Sequence, residues 1–317
     1  MTARQHHYVP QCYLKGFVAD REKPKLFVVD AKQRHSFSTS PAKVAVERDF
    51  NRIDIDGYAP DALENAFSKF EADLNQALKR IVAARSIKDD NDRALLFNLI
   101  GSMATKNPRL RENFRVASEH TAKVIMDLAT STPERWASQV RRAQKDGFVA
   151  ADADTDYKKM REFVECEEYK VKTMTSMHLH MELQAFDKIL PLISNRKWNL
   201  FRAPPKTTGF ITSDHPMCLM WSDLAQRVAY PPGLGLRRTQ LLFPIANELV
   251  IIGAFEIKND EIDADDLLIA QINGSIILHS TRQIYARDSE FLYKMQHNAD
   301  IMRGASLLDD QCFSRPK

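Results

Sequence analysis

The stretch TQLLFPIANELVIIGAF, residues 239–255, contains two apolar, β-branched runs separated by a short break. Two similar runs precede it, WNLFRAP at 198–204 and GFITSD at 209–214, and proline, glycine or asparagine separates the runs. Short runs of this composition favour strands over helices. The sequence therefore predicts a small sheet in the last third of the chain.

A second β-prone stretch lies near the amino terminus, at residues 25–38 (KLFVVDAKQRHSFS). Its two short apolar runs flank a polar connection at 30–34, which predicts a hairpin. Between this hairpin and the later strands, apolar residues recur at helical spacing. The helices expected from this pattern cover 61–82, 92–106, a stretch beyond Pro108, a stretch from Pro133, 157–193 and 263–287.

Local signals set several of these helix ends. Asp61 and Glu64 form a capping-box-like start for the first helix. Asn107-Pro108 ends the second helix, because a residue before proline avoids helical geometry. The stretch 157–193 is either one long helix or a broken pair.

Together these elements predict an α+β fold, with a largely helical body and a small antiparallel or mixed sheet built from the N-terminal hairpin and the C-terminal strands. Three regions follow from this pattern: 1–60 with the hairpin, 61–195 with the helices, and 196–317 with the sheet and a C-terminal helix. We expect the first and third regions to form one compact unit.

Composition excludes several classes of protein. With 317 residues, 44% hydrophobic and 27% charged, the chain has an ordinary globular composition, and its net charge of +3 is too small for a dedicated nucleic-acid-binding domain. Four widely spaced cysteines indicate reduced thiols rather than a zinc knuckle or a disulfide framework. No apolar run approaches the roughly 20 residues of a membrane helix. We therefore expect a cytoplasmic protein that does not enter a membrane.

The first candidate site is the segment HHYVP, residues 6–10. A neutral imidazole can bind a metal or accept a proton near physiological pH. Because adjacent residues of an extended segment point to opposite faces, His6 and His7 are not equivalent. The alternative is that this aromatic segment docks on the body of the protein and its imidazoles bond to backbone carbonyls.

The second candidate is TSDHP, residues 212–216, which follows a predicted strand. Asp214 could bind a metal or orient an imidazole, and Thr212 and Ser213 could bond an anionic ligand or shape the turn. The alternative for Asp214 is a bond to the backbone of its own turn. Ser213 lacks the glycine-flanked elbow of a serine nucleophile.

Three further sets of residues are weaker candidates. Arg109 and Arg111 lead into a helix and could bind phosphate or carboxylate, or form a solvated basic surface. His178 and Glu182 share a helix face but lack the H-E-x-x-H order of zinc proteases. Glu71 is either exposed or partly buried against a basic residue, whereas Glu64 is explained by its capping position.

Several elements occur in an order that resembles the bacterial and phage-associated family catalogued as domain of unknown function 4238. They are HHYVPQCYLKGF (6–17), IDIDGYAPDALENAFSKFE (53–71), ATKNPRLR (104–111), ITSDHP (211–216) and LLFPIANELVIIGAF (241–255). The family pattern has a His-His-aromatic-apolar-Pro element and a Thr-Ser-Asp-x-Pro element, matched at 6–10 and 212–216. The basic turn of relatives often has Arg-Thr-Pro, where this chain has Lys106-Asn107-Pro108. The resemblance implies the positions of the site and a role in conflict between bacteria and phage.

The leading hypothesis from these residues is a phosphodiester hydrolase, specifically a nuclease, that uses a divalent Mg, Mn or Zn ion to activate water and neutralise phosphate. Its catalytic candidates are His6, His7, Asp214 and His215, with His7 and Asp214 as metal ligands. Candidates for binding a nucleic acid or nucleotide are Arg109, Arg111, Thr212 and Ser213. The competing hypothesis is a non-catalytic protein that binds a ligand or a protein partner and in which the His/Asp cluster is structural.

Overall fold

A computed structural model describes residues 5–53, 57, 59–167, 169–223 and 230–314. The fold is α+β, as the sequence predicts. The chain divides into two compact units, one formed by Met1–Asn107 with Leu179–Lys317 and the other by Pro108–His178.

The helices follow the apolar periodicity of the sequence. They are α1 (Gln11–Leu14), α2 (Ala62–Ala84), α3 (Asp90–Thr105), α4 (Pro108–Ala129), α5 (Pro133–Lys145), α6 (Tyr157–Glu165), α7 (Thr175–Ser194), α8 (Asp266–His279) and α9 (Gln311–Ser314). Short 3₁₀ turns cover Lys15–Phe17, Pro41–Lys43 and Gly304–Asp309. Of the two alternatives for 157–193, the structure has the broken pair, α6 and α7. No helix in the described ranges has both the length and the apolar content needed to cross a membrane.

The strands belong to two larger sheets and two short ladders. They are β1 (Gln5–His7), β2 (Leu26–Asp30), β3 (His35–Thr39), β4 (Val46–Arg48), β5 (Lys197–Arg202), β6 (Thr212–Ser213), β7 (Cys218–Trp221), β8 (Thr239–Ala246), β9 (Leu249–Ala254), β10 (Asp260–Asp263), β11 (Gln283–Ala286), β12 (Leu292–Tyr293) and β13 (Met302–Arg303). The predicted hairpin is confirmed as β2 and β3, and the predicted C-terminal strands as β5, β6, β8 and β9.

The first unit is built around a mixed sheet with the order β10-β5-β9-β8-β7, in which β10 and β5 are parallel and the other neighbours antiparallel. Leu241 and Phe243 of β8 pack in a core cluster that also contains residues of α1, α2 and α3. Leu242 points to a second cluster that contains the apolar residues of α8. Because this sheet is covered on both faces, its central strands are almost continuously apolar.

The second sheet of this unit has the antiparallel order β3-β2-β11-β6. The prediction of a helix over 263–287 is wrong at its end, because α8 stops at His279 and residues 283–286 form β11. Ser280 leaves the helix with an extended backbone (ψ 149°), and Ile284 and Tyr285 are then fully buried. A short apolar run suits a helix or a strand equally, and the pairing with β2 and β6 decides here.

The second unit contains α4, α5, α6 and the start of α7. Polar contacts connect parts of this unit: Arg161 of α6 pairs with Asp127 of α4 (Nη1–Oδ1 2.8 Å), and Trp136 Nε1 of α5 donates to the Thr155 carbonyl at 2.7 Å. Across residues 108–145, all of which the structure describes, α4 and α5 have no fully buried side chain. Pro133 occupies the first turn of α5, as predicted.

Candidate functional site

The two N-terminal histidines lie on β1, which pairs with β4. His6 is 2% exposed, and its Nδ1 accepts a hydrogen bond from the Asn51 backbone N–H at 2.8 Å. The backbone carbonyl of His7 accepts a hydrogen bond from Lys106 Nζ at 3.0 Å. The His7 ring is half-buried, whereas the His6 ring is buried. The prediction that the two imidazoles differ in environment is confirmed, and His6 anchors the segment.

The hydroxyl groups of the TSDHP element are internal to the fold. Tyr13 donates its hydroxyl hydrogen to the Pro244 carbonyl at 2.8 Å, so the Thr212 hydroxyl, 2.7 Å away, donates to Tyr13. Ser213 Oγ accepts from the His215 backbone N–H at 3.1 Å. Thr212 and Ser213 are both fully buried, so a bound molecule would reach neither hydroxyl without rearrangement of β6.

Asp214 holds two sequence-distant parts of the second sheet together. Its carboxylate accepts hydrogen bonds from the backbone N–H groups of Thr281 at 2.9 Å and Arg282 at 2.8 Å, where β11 begins. The guanidinium of Arg282 in turn pairs with the fully buried Asp30 at 2.7 Å. These two bonds go to the residues directly before β11 and anchor the start of that strand.

A short turn after α3 joins the two histidine-containing segments. Lys106, 7% exposed, donates to the His7 carbonyl and places its ammonium 3.9 Å from the centre of the Phe67 ring. Its neighbour Asn107 donates from Nδ2 to Nδ1 of His215 at 2.5 Å. Residues 106 and 107 therefore connect the HHYVP segment to the TSDHP element.

Helix α2 adds two carboxylates to this region. Glu64 Oε2 accepts a hydrogen bond from Asn51 Nδ2 at 2.6 Å, whereas the side chain of Asp61 makes no capping bond. The expected capping box is therefore wrong, because the side chain of Asn51 provides the partner of Glu64. Glu71 lies seven residues after Glu64 on α2 and is half-buried. The structure therefore selects the alternative of partial burial for Glu71, and Lys106 is the basic residue near it.

The electrostatics of this cluster drive two groups towards their neutral forms. Burial lowers the pKa of His7, the charge of Lys106 lowers it further, and the backbone at Ala42 and the carboxylate of Glu64 oppose the shift. Burial raises the pKa of Glu71, Glu64 adds to the rise, and Lys106 opposes it. A lowered imidazole pKa and a raised carboxyl pKa are the shifts that suit a general base and a general acid.

Two buried side-chain atoms of this region, Nε2 of His7 and Oδ1 of Asn51, have unsatisfied hydrogen-bonding capacity among the described residues. Nε2 of His7 is buried and makes no hydrogen bond within the described residues. Nδ1 lies 3.5 Å from the side-chain amide of Gln11, which can present its nitrogen or its oxygen after rotation of the amide group. The neutral ring can therefore keep its proton on either nitrogen, and the buried Nε2 contacts a bound molecule only after a local rearrangement that opens a path to it.

The remaining candidates belong to the second unit or stay untested. Arg109 is exposed and Arg111 half-buried on α4 of the second unit, where burial and the charge of Arg111 lower the pKa of His178. Within the described ranges, no three histidine, cysteine, aspartate or glutamate side chains are grouped so that they could hold a metal ion. Metal binding by His7 and Asp214 stays a prediction.

The sequence pattern did not reveal the contribution of Lys106, Glu64 and Glu71. Lys106 had one available signal, because the family that the sequence resembles often has an arginine at this position of the basic turn. Glu64 was hidden by its plausible capping position. The spacing of Glu71 on α2 is equally typical of an exposed and of a partly buried residue.

The fold and the site define an α+β protein in which a histidine, a lysine and two glutamates surround the end of its N-terminal segment. The chain belongs to the family described as protein of unknown function (DUF4238), whose model matches residues 5–290. Neither the curated proteins nor the solved structures contain a match to the chain.

Proposed function

We propose that this protein is a phosphodiester hydrolase, specifically a nuclease, in which His7 transfers the proton during cleavage. The observation that carries the proposal is the buried, unpartnered Nε2 of His7, beside the charges of Glu64 and Lys106. A buried polar atom without a partner costs free energy, which a bound molecule would recover. The lowered pKa of His7 keeps the ring neutral near pH 7.

The four groups have complementary tasks in such a reaction. His7 accepts a proton from the attacking water as the new bond to phosphorus forms, and protonated Glu71 gives a proton to the leaving oxygen as its bond to phosphorus breaks. The positive charge of Lys106 favours an anionic phosphate nearby, and Glu64 stabilises the imidazolium that His7 becomes. Protons and bonds balance without a further reactant.

In this proposal Lys106 neutralises the phosphate charge, a role that the sequence hypothesis assigned to a divalent metal. A metal shared by His7 and Asp214 would have to compete with the two backbone N–H groups that Asp214 already accepts from. The nuclease hypothesis with a metal remains a variant of the proposal, so each assay is run with EDTA and with Mg²⁺, Mn²⁺ or Zn²⁺. We place the activity in the cytoplasm, because the widely spaced cysteines suit a reducing compartment.

The test is cleavage of fluorescently labelled single- and double-stranded RNA and DNA. His7→Gln should lower the rate about 100-fold or more, as expected for loss of a general base. His35→Gln is the matched control, because His35 is exposed on β3 and stacks on Phe37. Equal rates for wild type and His7→Gln would contradict the proposal, provided that the melting temperatures agree.

The pH dependence of the rate tests the proposed role of Glu71 as the general acid. The rate should rise as His7 loses its proton, below the ordinary pKa of 6.5, and fall as Glu71 ionises, above the ordinary pKa of 4.5. The optimum should therefore lie between the lowered pKa of His7 and the raised pKa of Glu71. Glu71→Gln should remove the falling limb, and an unchanged profile would exclude Glu71 as the acid.

The second candidate is a non-catalytic protein that binds a ligand or a protein partner. It is favoured by the internal bonding of His6, Thr212, Ser213 and Asp214, which gives most of the two histidine-containing elements a structural task. This hypothesis expects no turnover on any nucleic acid under all metal conditions. Affinity capture with wild type and His7→Gln would then identify a partner that depends on the same cluster.

A further inference from the structure

A separate cavity of about 350 Å³ lies in the first unit, between the N-terminal segment, α2 and β8. Its buried floor includes Tyr13, Leu78 and Ile245. It is partly open to solvent, and its volume lies at the lower end of the range for small-molecule sites, roughly 300–1,000 Å³. An apolar floor with a polar opening suits a small organic molecule.

The opening of the cavity is strongly cationic. Lys15, Arg21 and Lys79 line it and are exposed, and Asn75 adds a side-chain amide. Among the described residues that line the cavity, none is an aspartate or a glutamate. The lining therefore carries a formal charge of +3.

These three cations also have no acidic partners in the described part of the chain. None of them forms an ion pair there, whereas other cations at this protein's surface do, for example Arg202 with Asp263 at 2.9 Å. Asp20 flanks Arg21 in the sequence but does not line the cavity. Three like charges around one opening repel each other, and an anion between them would relieve this repulsion.

We infer that this cavity binds a small organic phosphate, with the phosphate between Lys15, Arg21 and Lys79 and the organic part on the apolar floor. A phosphate ester or diphosphate carries two or three negative charges, which match the +3 of the lining better than a single carboxylate does. The planar guanidinium of Arg21 can form two hydrogen bonds to one phosphate group. This site is distinct from the histidine cluster and does not depend on the proposed cleavage.

The test is isothermal titration calorimetry on the full chain at low ionic strength, with pyrophosphate, adenosine monophosphate, inorganic phosphate and citrate as probes. We expect adenosine monophosphate to bind one to one and more tightly than pyrophosphate or inorganic phosphate, because it alone among these three phosphates has an organic part for the apolar floor. The double variant Lys15→Gln/Lys79→Gln should bind at least about tenfold more weakly, because each charged hydrogen bond that is lost contributes about that factor. Added salt should weaken binding.

Two control proteins distinguish binding in this cavity from binding elsewhere on the protein. Lys23→Gln/Lys69→Gln removes two exposed lysines that do not line the cavity, so it changes the net charge equally and should bind as wild type does. His7→Gln should also bind as wild type does. The inference is overturned if no phosphate binds with a Kd below about 1 mM, if citrate binds as tightly as the phosphates, or if His7→Gln loses binding while Lys15→Gln/Lys79→Gln keeps it.

Discussion

Replacement of Asp214 by alanine should destabilise the protein rather than act on chemistry alone. Asp214 is 6% exposed, and its carboxylate accepts hydrogen bonds from the backbone N–H groups of Thr281 and Arg282. A hydrogen bond to a charged group contributes about 1.5–3 kcal/mol, but Thr281 is exposed and water can replace part of its bond. The expected loss in free energy of unfolding for Asp214→Ala is therefore about 2–4 kcal/mol.

Urea unfolding followed by circular dichroism measures this loss directly, with Asp300→Ala as the matched control. Asp300 is exposed, so its replacement should change the free energy of unfolding by less than about 0.5 kcal/mol. A stability of Asp214→Ala within that margin would refute the anchoring role. It would also return Asp214 to the catalytic group that the sequence hypothesis assigned to it.

Three other substitutions test separate parts of the structure. Gly209→Ala should lose at least about 2 kcal/mol more than Gly57→Ala in urea unfolding, because both glycines have positive φ but a Cβ at Gly209 would lie 2.3 Å from the Asn247 carbonyl oxygen. Tyr13→Phe should lose about 1–3 kcal/mol, since its buried hydroxyl makes two hydrogen bonds, and an unchanged unfolding midpoint would contradict this. Glu71 has a folded-state pKa raised above 4.5, so its protonation stabilises the fold below pH 4.5 and this contribution is lost as pH rises through the raised pKa. The melting temperature of wild type should therefore fall relative to Glu71→Gln from about pH 4 to pH 8, and parallel curves would refute the shift.

The elements of the fold that the sequence predicts well are those set by local periodicity. The spacing of Leu74, Leu78 and Ile81 places one face of α2 in the core, and the short apolar run at 239–245 gives β8. The end of α8 could not be found in this way. Ile284 fits a helical period as well as a strand, and only its pairing with Val29 of β2 makes residues 283–286 a strand.

The sequence predicts only part of the candidate site, because it shows local patterns and not the contacts between residues far apart in the chain. The sequence located His7 and the TSDHP element, because unusual local patterns mark both. It did not show what each side chain contacts, since Asp214 bonds to residues 67 and 68 positions away. Glu64 shows this limit more clearly. Its sequence context predicts a local capping role, but its carboxylate accepts a hydrogen bond from Asn51, 13 positions earlier.

The turn that ends α3 links the fold to the proposed chemistry. Pro108 disfavours helical geometry at Asn107, so the chain leaves the helix at Lys106 with φ −86° and ψ 73°. From this turn Lys106 bonds to the His7 segment and Asn107 to His215. A residue that continued the helix at 108 would keep 106 and 107 in helical geometry and would break both connections. The proline that marks a helix end in the sequence is therefore also a condition for the assembly of the site.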